Sequence, residues 1–385
     1  MRVLIAGGGT GGHVYPGIAI YRALDGLVDG LEVLFVGAKN GVEGTILKDL
    51  ALPNVLLAGR GVRGSSLLSK LTNPFVLMAA IVSGMKVISA FKPDVVIGTG
   101  GYASVAIVAG AVVARRRRVL QEQNSVPGLA NRVLSRFADL VLLSYEESRA
   151  WFGAGVKCEV VGNPLRIKTT PDRDAGLRFF DLSPDLQTVL IYGGSRGARA
   201  INDAAVSAIS GILTKRDVQF VMLTGTNDFE RVETLMKNHA SRVRVLPFLE
   251  DIGHAYSVAD VAVARAGASS VFELAAFGVP TIYVPYPYAA DDHQKKNVEH
   301  LEKTGGAIVI DHQGLSGEAL EAIILSLLDD DERRKEMAAT VRGWARIDAA
   351  ELAAKKVMEI AGASEARSGG SALIYAYLEQ VLRRE

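Results

Sequence analysis

The chain has 385 residues, of which 49% are hydrophobic, and this length can supply the cores of two or three domains. Its formal net charge of +1 gives no indication of a nucleic-acid partner. The single cysteine, Cys158, excludes an internal disulfide. Residues 60–118 contain nine Lys and Arg residues and one acidic residue, Asp94, which indicates either ordinary surface charge or a basic face for an anionic membrane or substrate.

Short β-branched runs alternate with helical segments from the start of the chain, which predicts βαβ units and a parallel sheet. The uncharged stretch 95–114 contains a glycine-rich turn, so we predict a buried strand, a loop and a buried helix there, not a membrane span. Residues 67–91 predict an amphipathic helix. The predicted strands of this part are Val3–Ala6, Glu32–Val36, Val95–Ile97, Val119–Gln121 and Leu140–Leu143.

The same alternation restarts after a break near Gly162-Asn163-Pro164, where glycine and proline interrupt regular structure. We therefore expect two doubly wound, Rossmann-like α/β domains with parallel sheets, at residues 1–163 and 164–345, followed by a helical tail at 346–385. The predicted strands of the second domain are Thr188–Tyr192, Gln219–Leu223, Arg242–Leu246, Val261–Ala264, Thr281–Val284 and Ala307–Ile310.

Three glycine-rich turns, at residues 7–13, 98–102 and 193–199, each stand between a predicted strand and a predicted helix. Glycine allows a sharp turn and a close approach to a ligand. The helix that follows directs free N–H groups and a partial positive charge at that ligand. Three such turns in one chain indicate an anionic, phosphate-bearing substrate held between two α/β domains.

The first turn also fits the Gly-x-Gly-x-x-Gly pattern of dinucleotide-binding proteins, which expects an acidic residue at the end of the second strand. Residues 35–40 contain no carboxylate, which disfavours a nicotinamide cofactor. His13 closes the turn at a helix N-terminus, where the helix dipole favours the neutral imidazole that can accept a proton. A general base and a purely structural histidine both remain open.

Further polar residues follow predicted strands. Asn124 offers an amide suited to sugar hydroxyls, or it stabilises its own loop. Ala268–Ser270 would present backbone N–H groups to a phosphate. Glu273, one helical turn further, can accept both hydroxyls of a ribose, or it forms a capping box with Ser270.

Metal-binding patterns are weak in this sequence. His293 and Asn297 share a helix face and could form a metal pair, but we identify no third ligand, and sugar binding by His293 and Gln294 is the better use. Two Asp-x-Asp matches, residues 172–174 and 329–331, lie away from strand ends. We therefore expect no obligatory metal or other cofactor.

Taken together, these motifs resemble the MurG family of UDP-N-acetylglucosamine-dependent transferases. The resemblance covers residues 1–345 and leaves the tail beyond Gly362 without a function. The matching motifs, in family order, are Gly8–His13, Gly98–Tyr102, Glu122–Asn124, Gly162–Arg166, Gly193–Ala198, Arg265–Glu273 and His293–Gln294.

The resemblance implies the GT-B architecture, with two Rossmann-like domains facing a central cleft. It implies an inverting transfer of GlcNAc from UDP-GlcNAc to the MurNAc C4 hydroxyl of undecaprenyl-pyrophosphoryl-MurNAc-pentapeptide (lipid I), which gives lipid II in peptidoglycan synthesis. The domain at residues 1–163 would bind the acceptor and the membrane, and the domain at 164–345 would bind UDP-GlcNAc.

The resemblance also implies roles for individual residues. His13 is the general base; Asn124 contacts GlcNAc; Glu273 holds the ribose. The loops facing the acceptor pyrophosphate comprise Gly9, Thr10, Gly11, Gly12, Gly100, Gly101 and Tyr102. The UDP-GlcNAc-binding set comprises Thr10, Gly11, Gly12, Asn124, Arg166, Ser195, Leu249, Ala268, Ser269, Ser270, Glu273, His293 and Gln294.

A lipid acceptor implies a peripheral position on the cytoplasmic face of the bacterial inner membrane, next to other cell-wall synthesis and division proteins. The apolar helix 67–91, with Lys70 and Lys86, is the segment that could dock on an anionic phospholipid surface. Three alternatives stay open: a GT-B transferase with another acceptor, a sugar-nucleotide epimerase, and a catalytically silent membrane-bound scaffold for cell-wall enzymes.

Overall fold

The computed structural model describes residues 1–39, 41, 43–57, 67–165, 171–194 and 197–362, with only the backbone described for residues 67–77. The chain divides into two compact units. One consists of Met1–Arg166 together with Ile347–Glu385, and the other of Ile167–Arg346.

In the described residues, the first unit is built on a seven-stranded parallel sheet. Its strands are β1 (Arg2–Gly7), β2 (Glu32–Ala38), β3 (Asn54–Leu57), β4 (Val95–Gly100), β5 (Arg117–Glu122), β6 (Leu140–Leu143) and β7 (Cys158–Val160). Their spatial order is β3-β2-β1-β4-β5-β6-β7, so the direction of winding reverses between β1 and β4. Ligands of such sheets bind beyond the carboxyl ends of the strands at this reversal point.

Helices follow most of these strands and cover both faces of the sheet, which is why the central strands are nearly continuous apolar runs. Val95, Val96 and Ile97 of β4, for example, are fully buried. The helices are α1 (Gly11–Asp25), α2 (Glu43–Asp49), α3 (Leu67–Phe91), α4 (Gly101–Val113) and α5 (Leu129–Leu134), with 3-10 turns at Ser135–Phe137 and Glu146–Trp151.

The second unit repeats this winding with six parallel strands among its described residues. They are β8 (Gln187–Tyr192), β9 (Val218–Leu223), β10 (Val243–Leu246), β11 (Val261–Ala264), β12 (Thr281–Tyr283) and β13 (Ala307–Val309). Their order is β10-β9-β8-β11-β12-β13, and the reversal lies between β8 and β11.

The helices of the second unit cover this sheet in the same way. They are α6 (Arg173–Phe180), α7 (Arg199–Lys215), α8 (Phe229–Met236), α9 (Gly253–Val258), α10 (Ala268–Phe277), α11 (His293–Lys303), α12 (Gly317–Asp329) and α13 (Asp331–Trp344), with 3-10 turns at Lys237–His239, Ala290–Asp292 and His312–Gly314.

The prediction of two doubly wound α/β units with parallel sheets is confirmed. Each predicted strand is present, with ends shifted by a few residues at most, and β3 and β7 are additional strands that were not predicted. Among the described residues, no helix combines the length and the apolar character that crossing a bilayer requires.

The last described helix, α14 (Ala349–Ala361), belongs to the core of the first unit, although its residues follow the second unit in the chain. It packs against α1, and Ala353, Ala354 and Val357 are fully buried in the same apolar cluster as Ile5. The predicted helical tail at residues 346–385 is therefore corrected in part, because α14 is a core helix of the first unit. Residues 363–385 lie outside the described residues.

We predict that Val357→Ala lowers the free energy of unfolding of the first unit by about 2 kcal/mol, because two buried methyl groups are lost and a cavity remains. Native-state hydrogen exchange at the amides of α1 measures this change. Lys355→Ala is the matched control on the same helix, since the Lys355 side chain is 54% exposed. Equal effects of the two substitutions would contradict the packing of α14 on this unit.

Candidate functional site

The predicted site residues that the structure describes fall into two half-sites, one in each unit. The first half-site comprises Gly9–His13, Gly100–Tyr102 and Asn124, which lie at or beyond the carboxyl ends of β1, β4 and β5. The second comprises Leu249, Ala268–Ser270, Glu273, His293 and Gln294, which follow β10, β11 and β12. Both half-sites adjoin the reversal point of their sheet, where α/β proteins bind ligands.

In the first half-site the turns after β1 and β4 approach each other so closely that only glycine fits. The Gly8 N–H donates to the Gly100 carbonyl over 3.3 Å. Gly100 and Gly101 have φ angles of 105° and 80°, a region that residues with a side chain rarely adopt. A β-carbon on Gly101 would also overlap with the Gly8 carbonyl. The two turns therefore form one clamped pair of loops.

His13 lies in the first turn of α1, and its ring is held in a defined orientation. Nδ1 is 2.9 Å from the carbonyl oxygen of Gly8. Because a carbonyl oxygen can only accept, Nδ1 carries the hydrogen and the neutral ring keeps its lone pair on Nε2. A β-carbon on Gly100 would lie 3.2 Å from Nε2, so glycine at this position leaves Nε2 uncovered on that side. This geometry suits a proton acceptor.

Glu43, at the start of α2, is a buried carboxylate beneath the first glycine turn that the sequence analysis did not identify. It accepts the N–H of Ala38 at 2.7 Å and the N–H of Gly9 at 2.9 Å. Dinucleotide-binding proteins carry a ribose-binding acid at the end of the second strand. Here Glu43 reaches that strand end from the following helix, and its two carboxylate oxygens each accept a backbone N–H.

Asn124 lies in a loop that is organised around a second buried carboxylate, Glu122. One oxygen of Glu122 accepts the Asn124 N–H at 2.9 Å. The other accepts the Gly128 N–H at 3.0 Å and the Asn131 amide at 2.8 Å. The half-buried Asn124 amide also contacts Glu122, at 3.4 Å, so its position is fixed from within the loop.

In the second half-site, α10 begins at Ala268, directly after the loop that follows β11. The N–H groups of Ala268, Ser269 and Ser270 belong to the first helical turn, where they have no acceptor within the helix and can bind an anion. The capping-box alternative for Glu273 is wrong. That motif needs a side-chain cap and a glutamate at the third helical position, whereas the N-cap is Gly267 and the third position is Ser270.

Glu273 instead points into the unit and accepts a hydrogen bond of 2.8 Å from the hydroxyl of Tyr256. Glu273 is 2% exposed and Tyr256 is 1% exposed. The ring of Tyr256 packs edge-on against Tyr192 and is tilted against Phe277. Tyr256 is a further residue that the sequence analysis missed, since it lies on α9 and reaches Glu273 only through the fold.

The first turn of α11 carries His293 and Gln294. Gln294 accepts the N–H of Tyr286 at 2.9 Å, and Nδ1 of His293 lies 2.8 Å from the carbonyl of Ala290. Asn297 is fully buried and its amide donates to the Ala266 carbonyl at 3.1 Å, which disfavours the metal-pair alternative for His293 and Asn297.

Arg265 lies beside this turn and donates to the carbonyls of Val284 and Pro285, each at 3.0 Å. Burial lowers the pKa of Arg265, and the neighbouring Tyr286 opposes this shift. The guanidinium nevertheless stays charged at neutral pH.

Three of the remaining predicted positions need separate mention. Arg166 and Ser195 lie outside the described residues. The side chain of Leu249 is buried in an apolar cluster of the second unit, which leaves only its backbone for a ligand.

In the two Asp-x-Asp matches, Asp172 and Asp330 cap α6 and α13 by accepting the N–H groups of Ala175 and Arg333.

Comparison with known proteins places the chain in a family. Residues 3–143 match the glycosyltransferase family 28 N-terminal domain, and residues 188–357 match the glycosyltransferase family 28 C-terminal domain. The crystal structure of Acinetobacter baumannii MurG is 29% identical in sequence, with a TM-score of 0.74. The match covers 93% of this chain and 99% of the MurG chain. A UDP-GlcNAc 2-epimerase from Neisseria meningitidis, 14% identical with a TM-score of 0.66 over 93% of this chain and 100% of that chain, shares the fold alone.

A relative from Chlorobium limicola is 39% identical over 365 residues, which are 94% of this chain and all of that protein. A relative from Lactiplantibacillus plantarum is also 39% identical, over 91% of this chain and 97% of that protein. Both are described as UDP-N-acetylglucosamine–N-acetylmuramyl-(pentapeptide) pyrophosphoryl-undecaprenol N-acetylglucosamine transferases. This chain belongs to that family of N-acetylglucosamine transferases.

Proposed function

We propose that the protein transfers GlcNAc from UDP-GlcNAc to the MurNAc C4 hydroxyl of lipid I and so forms lipid II with inversion at the anomeric carbon. The observation that carries this proposal is the 39% identity to a transferase of that description over the full length of the relative. Residues 1–163, which lie in the first unit, bind the acceptor. The second unit binds the donor.

In the donor half of the reaction, positively polarised groups of the protein stabilise the leaving diphosphate. The leaving diphosphate gains negative charge in the transition state, and the N–H groups at the start of α10, at Ala268–Ser270, can stabilise it. Arg166 and Ser195 contribute to the same diphosphate site in this proposal. Glu273 holds the ribose, Gln294 and His293 hold the sugar hydroxyls, and the backbone of Leu249 binds the uracil edge.

The acceptor half uses the clamped loops of the first half-site. Gly9–Gly12 and Gly100–Tyr102 face the acceptor pyrophosphate, and Asn124 contacts GlcNAc. His13 removes the proton from the attacking hydroxyl, because its Nδ1–H is directed to Gly8 and the lone pair lies on Nε2. A positioned base of this kind contributes about 10²- to 10⁴-fold to the rate.

The acceptor is a lipid, so we also propose peripheral binding to anionic phospholipid on the cytoplasmic face of the cell membrane. Two side chains of α3 support this proposal, since Met78 is 61% exposed and Val82 is 47% exposed. The basic residues of 60–118 would supply the attraction to anionic headgroups. Other cell-wall synthesis and division proteins are proposed as neighbours at this surface.

The proposed reaction is tested with labelled UDP-GlcNAc, with and without a short-chain lipid I analogue, in EDTA. We expect label in lipid only when the analogue is present. Loss of UDP-GlcNAc without an acceptor would instead indicate an epimerase or a hydrolase. Activity that returns only with Mg²⁺ would contradict the expectation that no metal is obligatory.

Donor affinity should depend on Glu273 and on the hydroxyl that holds it. Glu273→Ala should raise the donor KM by about 10- to 100-fold, because hydrogen bonds to charged groups are lost. Tyr256→Phe removes one hydroxyl and should raise the donor KM by about two- to tenfold. In both variants kcat should change much less, since ground and transition states use the ribose contact equally.

Tyr283→Phe is the matched control for these donor variants, because Tyr283 is also a buried tyrosine of the second unit. Its donor KM should stay within about twofold of the wild-type value, as for a site outside the proposed contacts. An unchanged donor KM in Glu273→Ala would remove Glu273 from the donor site.

Binding to vesicles of phosphatidylglycerol should exceed binding to phosphatidylcholine and should weaken as salt increases, because salt screens exposed charges. Met78→Glu together with Val82→Glu should reduce binding further. Leu235→Glu, at an exposed leucine of the second unit, is the control. Co-sedimentation that does not respond to salt would contradict an electrostatic component.

A further inference from the structure

Glu43 is a buried carboxylate next to the first half-site, and the proposed reaction assigns it no role. It is 0% exposed and accepts hydrogen bonds from the N–H groups of Ala38 and Gly9. Burying a carboxylate is costly unless hydrogen bonds compensate for the lost water. An apolar residue would be enough if this position served packing alone. The presence of a carboxylate therefore indicates that its hydrogen bonds have a role.

What Glu43 holds is one end of a single peptide group. The Gly8 carbonyl and the Gly9 N–H belong to the same planar peptide unit, in which they point in opposite directions. The Gly9 N–H donates to Oε2 of Glu43 at 2.9 Å. The Gly8 oxygen accepts from Nδ1 of His13 at 2.9 Å. One rigid group therefore connects the carboxylate to the imidazole.

We propose that Glu43 is a positioning residue for His13 and acts through the Gly8–Gly9 peptide. By fixing that peptide, Glu43 fixes the acceptor for Nδ1–H, and hence both the orientation of the ring and the tautomer that leaves the lone pair on Nε2. A negative charge at the N–H end also polarises the peptide and strengthens its carbonyl as an acceptor. This inference rests on the proposed function, in which Nε2 of His13 receives the proton.

Three glycines leave the space that the Glu43 side chain occupies. A β-carbon on Gly8, Gly37 or Gly41 would overlap with side-chain atoms of Glu43. These glycines come from the first glycine turn, from β2 and from the connection to α2, so three separate segments leave space for one side chain. The space that these three glycines leave is filled by a side chain that comes from the start of α2 and reaches the end of β2.

Glu43→Gln is the first test, because glutamine keeps the shape but has one acceptor oxygen for two N–H donors and no charge. We expect kcat to fall about tenfold, as for loss of a partner that orients a functional histidine. The donor KM should change by less than about twofold, since the proposed donor contacts of Glu273 and its neighbours lie in the second unit.

Asp94→Asn is the matched control for this substitution. Asp94 also accepts a backbone N–H, that of Arg2, at 2.8 Å, but at the opposite ends of β1 and β4. It loses the same charge and should keep kcat within about twofold of wild type. A tenfold loss in Asp94→Asn would show that any such carboxylate matters and would overturn the specific role of Glu43.

A double-mutant cycle with His13→Ala separates positioning from a structural role. His13→Ala alone should lower kcat by about 10²- to 10⁴-fold. In that background Glu43→Gln should lower kcat by less than about a further twofold, because the group through which it acts is gone. A full tenfold effect in both backgrounds would overturn the inference.

A second readout does not depend on turnover. In protein labelled with ¹⁵N-histidine, the signals absent from His13→Ala identify His13. We expect neutral His13 to be in the Nδ1–H tautomer in the wild type and to populate both tautomers in Glu43→Gln. An unchanged tautomer would overturn the inference. A changed tautomer with wild-type turnover in His13→Ala would support the positioning role and overturn His13 as the base.

Thermal melting shows whether Glu43→Gln is folded. If it is not, Glu43→Asp takes its place, since aspartate keeps the charge but is one methylene too short to reach the Gly9 N–H. The same loss of kcat and the same tautomer change are expected for Glu43→Asp. Wild-type turnover and tautomer in that variant would overturn the inference.

Discussion

The first half-site depends on the close approach of two glycine turns at the point where the sheet order reverses. The hydrogen bond from Gly8 to the Gly100 carbonyl joins the ends of β1 and β4, and the positive φ angles of Gly100 and Gly101 make this approach possible. The Gly8 carbonyl then accepts from His13. Since the orientation of the His13 ring follows from this contact, any side chain that separated the turns would displace the imidazole as well.

Buried carboxylates recur at the carboxyl edges of both sheets. Glu43 accepts two backbone N–H groups, Glu122 organises the loop that carries Asn124, and Glu273 accepts from Tyr256. Each is at most 2% exposed. Loops lack the regular hydrogen bonding of helices and strands, so a charged acceptor with several lone pairs is an effective means of holding their N–H groups. Such a loop is ordered before its ligand arrives.

The sequence predicted the two parallel sheets because buried strands form apolar runs between helical segments, and it missed β3 and β7 because these strands are short and only partly buried. It also predicted that Asn124 follows a strand end and that Glu273 lies one turn into a helix, and the structure has both residues there. It did not predict Glu43 or Tyr256, whose partners are distant in sequence. Contacts of that kind form only when the fold brings strand ends together, so short-range sequence patterns do not predict them.

The hydrogen bonds of Glu43 and Glu122 described above join residues of the first unit, and the hydrogen bond from Tyr256 to Glu273 joins two residues of the second. Contacts within each unit can therefore order these residues before a substrate binds, so little ligand-binding free energy is needed to order them. In the proposed reaction, the step that remains is to bring the attacking hydroxyl in line with the anomeric carbon. Ordered groups that already have the correct orientation lower the entropic part of the barrier. In the proposed mechanism, an accurately fixed His13 imidazole would therefore contribute to that alignment as well as to proton transfer.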